Sequence, residues 1–172
     1  MVNSFLLIDV YPDIIKILLI IVLLICSALI SGSEVAFFSL SKTDLKKIST
    51  SNANNLKLIA LLRSNPRRLL ATLLVSNNFI NISIVLLLAS FGQLFNLVFL
   101  PSWLNFVLEV GFITALILLF GEILPKVYAN RKPISFSKKM AFPVQILDKY
   151  LFFFITIPMS KMTKFIQDKL VF

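Results

Sequence analysis

Phe120-Gly121-Glu122-Ile123-Leu124-Pro125-Lys126 closes a long apolar run and sets a carboxylate three residues ahead of a proline. A charged side chain at hydrocarbon depth is costly and rare, so by default it marks a functional site. Proline has no N–H, and in an α-helix the carbonyl that loses its donor here is that of Gly121. A free carbonyl oxygen beside a carboxylate suits a hard cation. Broken backbone at this depth is tolerated only where it is buried in protein or lines a wet cavity. The competing reading, in which Glu122 marks the water interface where a membrane helix ends, stays open on this stretch alone.

The rest of the chain has the composition of a membrane protein. Apolar residues make up 58% of the 172 and charged residues 15%, with a mean hydropathy of +0.93. Soluble domains run nearer about 45–50% and about 25%. One hydrophobic unit over 1–172 is expected. The formal charge of +9 comes from basic residues interleaved with apolar runs, which fits anionic lipid headgroups better than nucleic acid. Cys26 stands alone in an apolar run, so neither a disulfide nor a thiolate metal cluster is expected. The chain has no histidine, which removes His-based triads and HExxH zinc sites. No nucleophile–base pair is visible, and the chain does not read as an enzyme.

An all-α integral membrane fold follows, with three transmembrane helices at about 14–40, 69–91 and 103–123 and amphipathic juxtamembrane helices at about 42–64 and 134–170. The first span begins after Pro12, at a position where a helix tolerates proline, and Lys16 can snorkel to its end. Its other end is interrupted by Ser31-Gly32-Ser33-Glu34, a second candidate half-site that could equally be a small-residue packing notch. Between 41 and 68, Lys42, Lys46, Lys47, Lys57, Arg63, Arg67 and Arg68 face a single acid, Asp44. Ser41-Lys42-Thr43-Asp44 reads as a capping box. Leu56, Ile59, Ala60 and Arg63 share one helical face, which predicts two short helices along the inner membrane surface; a solvated basic loop is the other reading, and both place the segment in the cytoplasm.

Asn65-Pro66 starts the second span, with Asn65 as N-cap and Pro66 at the first helical position. Inside this span Asn77 and Asn81 lie four apart on one face, next to Ser76. They either glue helices together or line an ion site with amide oxygens. Residues 92–102 carry no charge and form a short outer loop, after which Trp103 sits at an interface. Glu109 belongs near the outer surface or against a partner chain. The third span ends in the Gly-Glu-Ile-Leu-Pro stretch. Basic segments follow spans one and three but not span two, which puts the N-terminus outside and the C-terminus inside. The three polar clusters then come to similar depth. Residues 134–172 are aromatic and amphipathic, and Pro143, Asp148, Lys149 and Pro158 argue against a fourth span at 141–158.

Ser31-Gly32-Ser33-Glu34-Val35-Ala36-Phe37-Phe38-Ser39-Leu40-Ser41, the Asn77/Asn81 pair and Gly121-Glu122-Ile123-Leu124-Pro125-Lys126, in this order, resemble the transmembrane domain of the CNNM/CorC family, also called DUF21, over about 10–165. The chain is also similar in style to Bacteroidetes members of the family associated with gliding motility. The resemblance implies a homodimeric, multi-pass inner-membrane protein. It further implies cytoplasmic CBS domains in a full-length protein, of which this chain is a piece, and a role in Mg2+ transport, with efflux as the direction; the mechanism expected is alternating access, and Na+ exchange is a hypothesis for its driving force. By the same resemblance the ion site comprises Ser31, Gly32, Ser33, Ser76, Asn77, Asn81, Gly121 and Glu122, with Glu34 and Pro125 in secondary roles. Many relatives have glycine where this chain has Ser76, so that hydroxyl is either a ligand or added bulk. Oxygen ligands of these kinds suit Mg2+, and Ca2+ or Na+ nearly as well. A reading from another class is a dimeric membrane scaffold whose polar clusters serve helix packing.

Overall fold

The computed structural model describes the backbone of residues 2–49, 53–91 and 101–170, and the side chains of 13–46, 48, 53–91 and 101–151. The stretch 92–100, most of the expected outer loop, lies outside the described residues, as do the side chains of Phe152, Phe153, Phe154 and Phe165. All regular structure among the described residues is helical: α1 (Val2–Phe38), α2 (Lys42–Ser49), α3 (Asn54–Ser64), α4 (Pro66–Ala89), α5 (Ser102–Leu116), a π-helical segment (Ile117–Ile123), α6 (Leu124–Arg131) and α7 (Pro133–Leu170). Three stretches are long and apolar enough to cross a membrane: Asp13–Phe38, Pro66–Ala89 and the continuous Ser102–Arg131. Their outer surfaces expose Ile15, Leu18, Phe79, Leu86, Phe106 and Phe112, an apolar area suited to lipid tails rather than water.

Local chemistry explains the helix starts. The Ser41 N–H donates to Asp44 Oδ2 and the Asp44 N–H to Ser41 Oγ, each at 3.1 Å, the reciprocal bonds of a capping box at the start of α2. Asn65 Oδ1 accepts from the Arg68 N–H at 3.3 Å, with Pro66 just inside α4, where its missing N–H costs nothing. At the far end of α4, Lys16 reaches across from α1. Its amine donates to the Ser90 carbonyl at 3.4 Å, pairs with Asp13 at 3.2 Å and lies over the Phe91 ring. A cation at a helix C-terminus is favourably placed, and this contact shows α1 and α4 running antiparallel.

Three expectations are corrected. Helix α1 is not interrupted at Ser31-Gly32-Ser33-Glu34 but runs unbroken to Phe38. Ser33 Oγ donates to the Leu29 carbonyl at 2.6 Å, a hydroxyl-to-backbone bond that a helix accommodates. Pro12 lies within α1 rather than before it; it removes one backbone bond without ending the helix. Pro125 likewise does not end the third span. The chain widens into a π turn over Ile117–Ile123, with the Leu124 N–H donating to the Leu119 carbonyl five residues back, and then continues as α6. In that register the donor missing at Pro125 is the one for the Phe120 carbonyl, one residue earlier than an α-helix would have it. Residues 133–170 form one helix that passes through Pro143 and Pro158.

Two apolar clusters hold the helices together. One gathers Ile30, Phe37 and Leu40 of α1 and the following turn with Ile48, Ile59, Leu62, Leu69, Leu73, Met140, Ala141 and Val144, so α2, α3 and α7 close over the basic end of the spans. The other gathers Ile20, Ile84, Ile113 and Ile117 between α1, α4 and the third span. At the basic end Asp148 of α7 is clasped by α4: Arg68 Nε donates to Oδ1 and Nη2 lies against Oδ2, both at 2.9 Å, while Thr72 Oγ1 donates to Oδ1 at 3.0 Å. The Asp148 side chain is only 15% exposed, so losing the guanidinium strands a largely desolvated carboxylate. Arg68→Met is therefore expected to lower stability by about 1–3 kcal/mol. Adding Asp148→Leu should recover most of the loss, as thermal unfolding in detergent would read.

Candidate ion site

Between the two apolar clusters lies a polar layer. Asn77 and Asn81, one turn apart on α4, both send their amide NH2 groups to Glu122 Oε1, at 3.1 and 3.2 Å. Their amide oxygens converge on Ser27 Oγ of α1, at 3.1 Å for Asn77 and 2.7 Å for Asn81. A hydroxyl carries one proton, so the shorter contact is the full hydrogen bond and the other is shared. Three membrane-spanning segments thus meet in one network. Ser27 is fully buried, Asn77 is 7% exposed, and Glu122 and Asn81 are half-buried.

The glycines explain why the segments approach so closely. A Cβ on Gly121 would lie 3.0 Å from Ser27 Oγ, so the glycine makes room for the hydroxyl that the asparagines use. A Cβ on Gly32 would lie 2.7 Å from the Phe136 ring and 3.3 Å from the Pro125 carbonyl oxygen. Gly32 is therefore the point where α1 docks against α6 and α7, and Pro125 meets it through its backbone. The Ser31 hydroxyl is buried, one turn from Ser27 on the same face of α1, and has no hydrogen-bond partner among the described residues.

Other residues expected in the site are engaged elsewhere. Ser33 turns its hydroxyl back to its own helix, and Ser76, 4% exposed, donates to the Thr72 carbonyl at 2.7 Å. Glu34 pairs with Lys126 at 3.3 Å. Glu109 is buried on α5 beside a cavity of about 290 Å³. Thirteen residues separate it from Glu122 along a continuous helix, which puts it roughly 20 Å away at 1.5 Å per residue. Ser27 is the member that sequence reasoning missed; its spacing of four from Ser31 inside an apolar run was the available signal.

Among the described residues no three His, Cys, Asp or Glu side chains gather at one place. An ion held in this layer would be ligated by hydroxyl, amide and carbonyl oxygens with one carboxylate, a donor set for a hard cation rather than a thiophilic one. A groove of about 320 Å³ between α4 and the third span, lined by Asn81, Val85, Leu86, Thr114 and Ile117 among others, adjoins the layer.

Residues 18–170 match the family model described as the cyclin M transmembrane N-terminal domain. The chain is 30% identical over 130 residues to UPF0053 protein sll1254 of Synechocystis, covering 74% of this chain and 36% of the relative. It is 31% identical over 121 residues to metal transporter cnnm-4 of Caenorhabditis elegans, covering 67% and 25%. It is 29% identical over 121 residues to UPF0053 inner membrane protein YfjD of Escherichia coli, covering 70% and 26%. The chain thus spans between a quarter and just over a third of the length of these relatives.

Proposed function

This chain belongs to the cyclin M transmembrane domain family, and on that premise we propose that it is the membrane domain of a divalent-cation transporter with Mg2+ as substrate. The observation that carries the proposal is the Ser27–Asn77–Asn81–Glu122 layer, a carboxylate and two amides joined across three spans between two apolar clusters. A Caenorhabditis elegans relative is named a metal transporter, which supports the substrate class. To ligate a cation beside Glu122, the two amides turn over so that their oxygens face the carboxylate. That rotation gives up the two amide bonds to Glu122, turns the NH2 groups toward Ser27 Oγ in place of the oxygens, and links ion uptake to the packing of α1 against α4. The transport step is Mg2+ efflux by alternating access, with Na+ as the coupling ion. The assembly is a homodimer whose full-length chains carry CBS domains. It is a multi-pass inner-membrane protein, a placement supported by the name of the Escherichia coli relative, with the basic end in the cytoplasm.

The scaffold reading keeps one observation in its favour: the layer is already hydrogen-bonded and joins three helices as it stands. Thermal stability of the purified, detergent-solubilised chain in MgCl2, CaCl2 and NaCl at matched ionic strength separates the two. A ligand that binds only the folded protein raises its stability by about 2.7 kcal/mol at a concentration 100 times Kd. Saturable stabilisation by Mg2+ is the expected result. A flat response to all three salts favours the scaffold.

A further inference from the structure

We propose that the pocket where α3, α4 and α7 meet at the basic end of the spans holds the phosphate of an anionic phospholipid. The pocket measures about 440 Å³, within the range of about 300–1,000 Å³ usual for a small-molecule site. It lies at the start of the second span, lined there by Asn65 and Arg68, which places it at headgroup rather than hydrocarbon depth. Arg68 and Lys149 line it together with one acid, Asp148. That acid is already answered: Arg68 Nε and Nη2 hold it, Thr72 Oγ1 donates to it, and its side chain is 15% exposed. Lys149 is exposed and has no ion-pair partner among the described residues. The charge left over in the pocket is therefore positive. Asn65 spends its Oδ1 on the Arg68 N–H, so its NH2 group, like that of Gln145, offers neutral donors to the same space.

Basic pockets between helices on the cytoplasmic side of a membrane bind anionic lipid headgroups. Leu61 decides between a lipid and a free phosphate. It lines the pocket and is 60% exposed, although α3 buries Ile59 and Leu62. A free phosphate gains nothing from that side chain, whereas the glycerol and first acyl carbons of a phospholipid would cover it. A headgroup here touches α3, α4 and α7 at once and so stabilises their packing. The inference does not depend on the Mg2+ reading; only its assignment to the inner leaflet follows from placing the basic end in the cytoplasm.

The test is thermal unfolding of the chain in a neutral detergent, with phosphatidylglycerol, phosphatidylcholine or inorganic phosphate added at matched ionic strength. Phosphatidylglycerol should raise the melting temperature saturably, by about 3–6 °C at about ten times its half-saturating amount, and the other two should do much less. Lys149→Gln should raise the half-saturating amount about fivefold. Lys139→Gln removes the same charge from an exposed position of the same helix outside the pocket and should leave it unchanged. Leu61→Ser should weaken the response to phosphatidylglycerol. Equal losses in Lys149→Gln and Lys139→Gln would mean diffuse attraction to a basic surface and overturn the pocket. Equal protection by phosphatidylcholine overturns recognition of the charge, and equal protection by inorganic phosphate overturns the lipid. No response to any of the three sinks the site outright.

Discussion

Glu122→Gln is expected to abolish Mg2+-dependent stabilisation while leaving the helices assembled. Glutamine keeps the shape of the side chain and an oxygen able to accept from Asn77 and Asn81, which donate to Oε1 at 3.1 and 3.2 Å. It removes the charge that would neutralise a divalent ion. Losing the carboxylate also relieves the cost of holding an anion at membrane depth, so stability without added ion should stay level or rise. With MgCl2 at about 100 times the wild-type Kd, the wild type gains about 2.7 kcal/mol. For a chain of this size that is a shift of about 5–10 °C at about 2–4 °C per kcal/mol. The variant should show none of it. The same thermal scan would reveal a packing role instead, as a large loss of stability in the absence of any ion. Liposome flux of Mg2+ should fall to the protein-free background in the variant.

Gly32→Val should produce the second large effect, on the fold rather than on the ion. The ideal Cβ already falls 2.7 Å from the end of the Phe136 ring and 3.3 Å from the Pro125 carbonyl. The ring can turn aside, but the carbonyl belongs to the backbone of α6, and valine adds two methyl groups beyond the Cβ. Forcing α1 away from α6 should cost about 1–3 kcal/mol. It should also displace Ser27, which lies on the same helix one turn before Ser31 and carries the contacts to Asn77 and Asn81. Gly32→Ala should be milder, and adding Phe136→Leu should recover much of that smaller loss. Thermal unfolding checks all three variants. If Gly32→Val matched the wild type, the contact between α1 and α6 would not be the close one described.

The helices were legible in the sequence because their causes are local. Long apolar runs, the Ser41–Asp44 capping box and the Asn65-Pro66 start act within a few residues, and the structure shows their hydrogen bonds directly. The shared face of Asn77 and Asn81 follows from helical spacing alone. What those residues touch was much less legible. Ser27 is a lone hydroxyl in an apolar run, and its partners lie 50 and 54 residues along the chain. Proline rules, applied locally, predicted a boundary at Pro12 and a break at Pro125. The chain instead runs through both, with a π turn ahead of the second, so one lost backbone bond ends neither helix. The pairing of Glu34 with Lys126 and the docking of Gly32 likewise depend on how α1 meets α6. An all-helical membrane chain, its family and the polar residues available to it can be read from residue order, since apolar length, helical period and motif order are properties of the chain alone. Which polar groups face one another depends on the packed fold, because each contact in the site joins helices whose separation and rotation are set by packing at many positions at once.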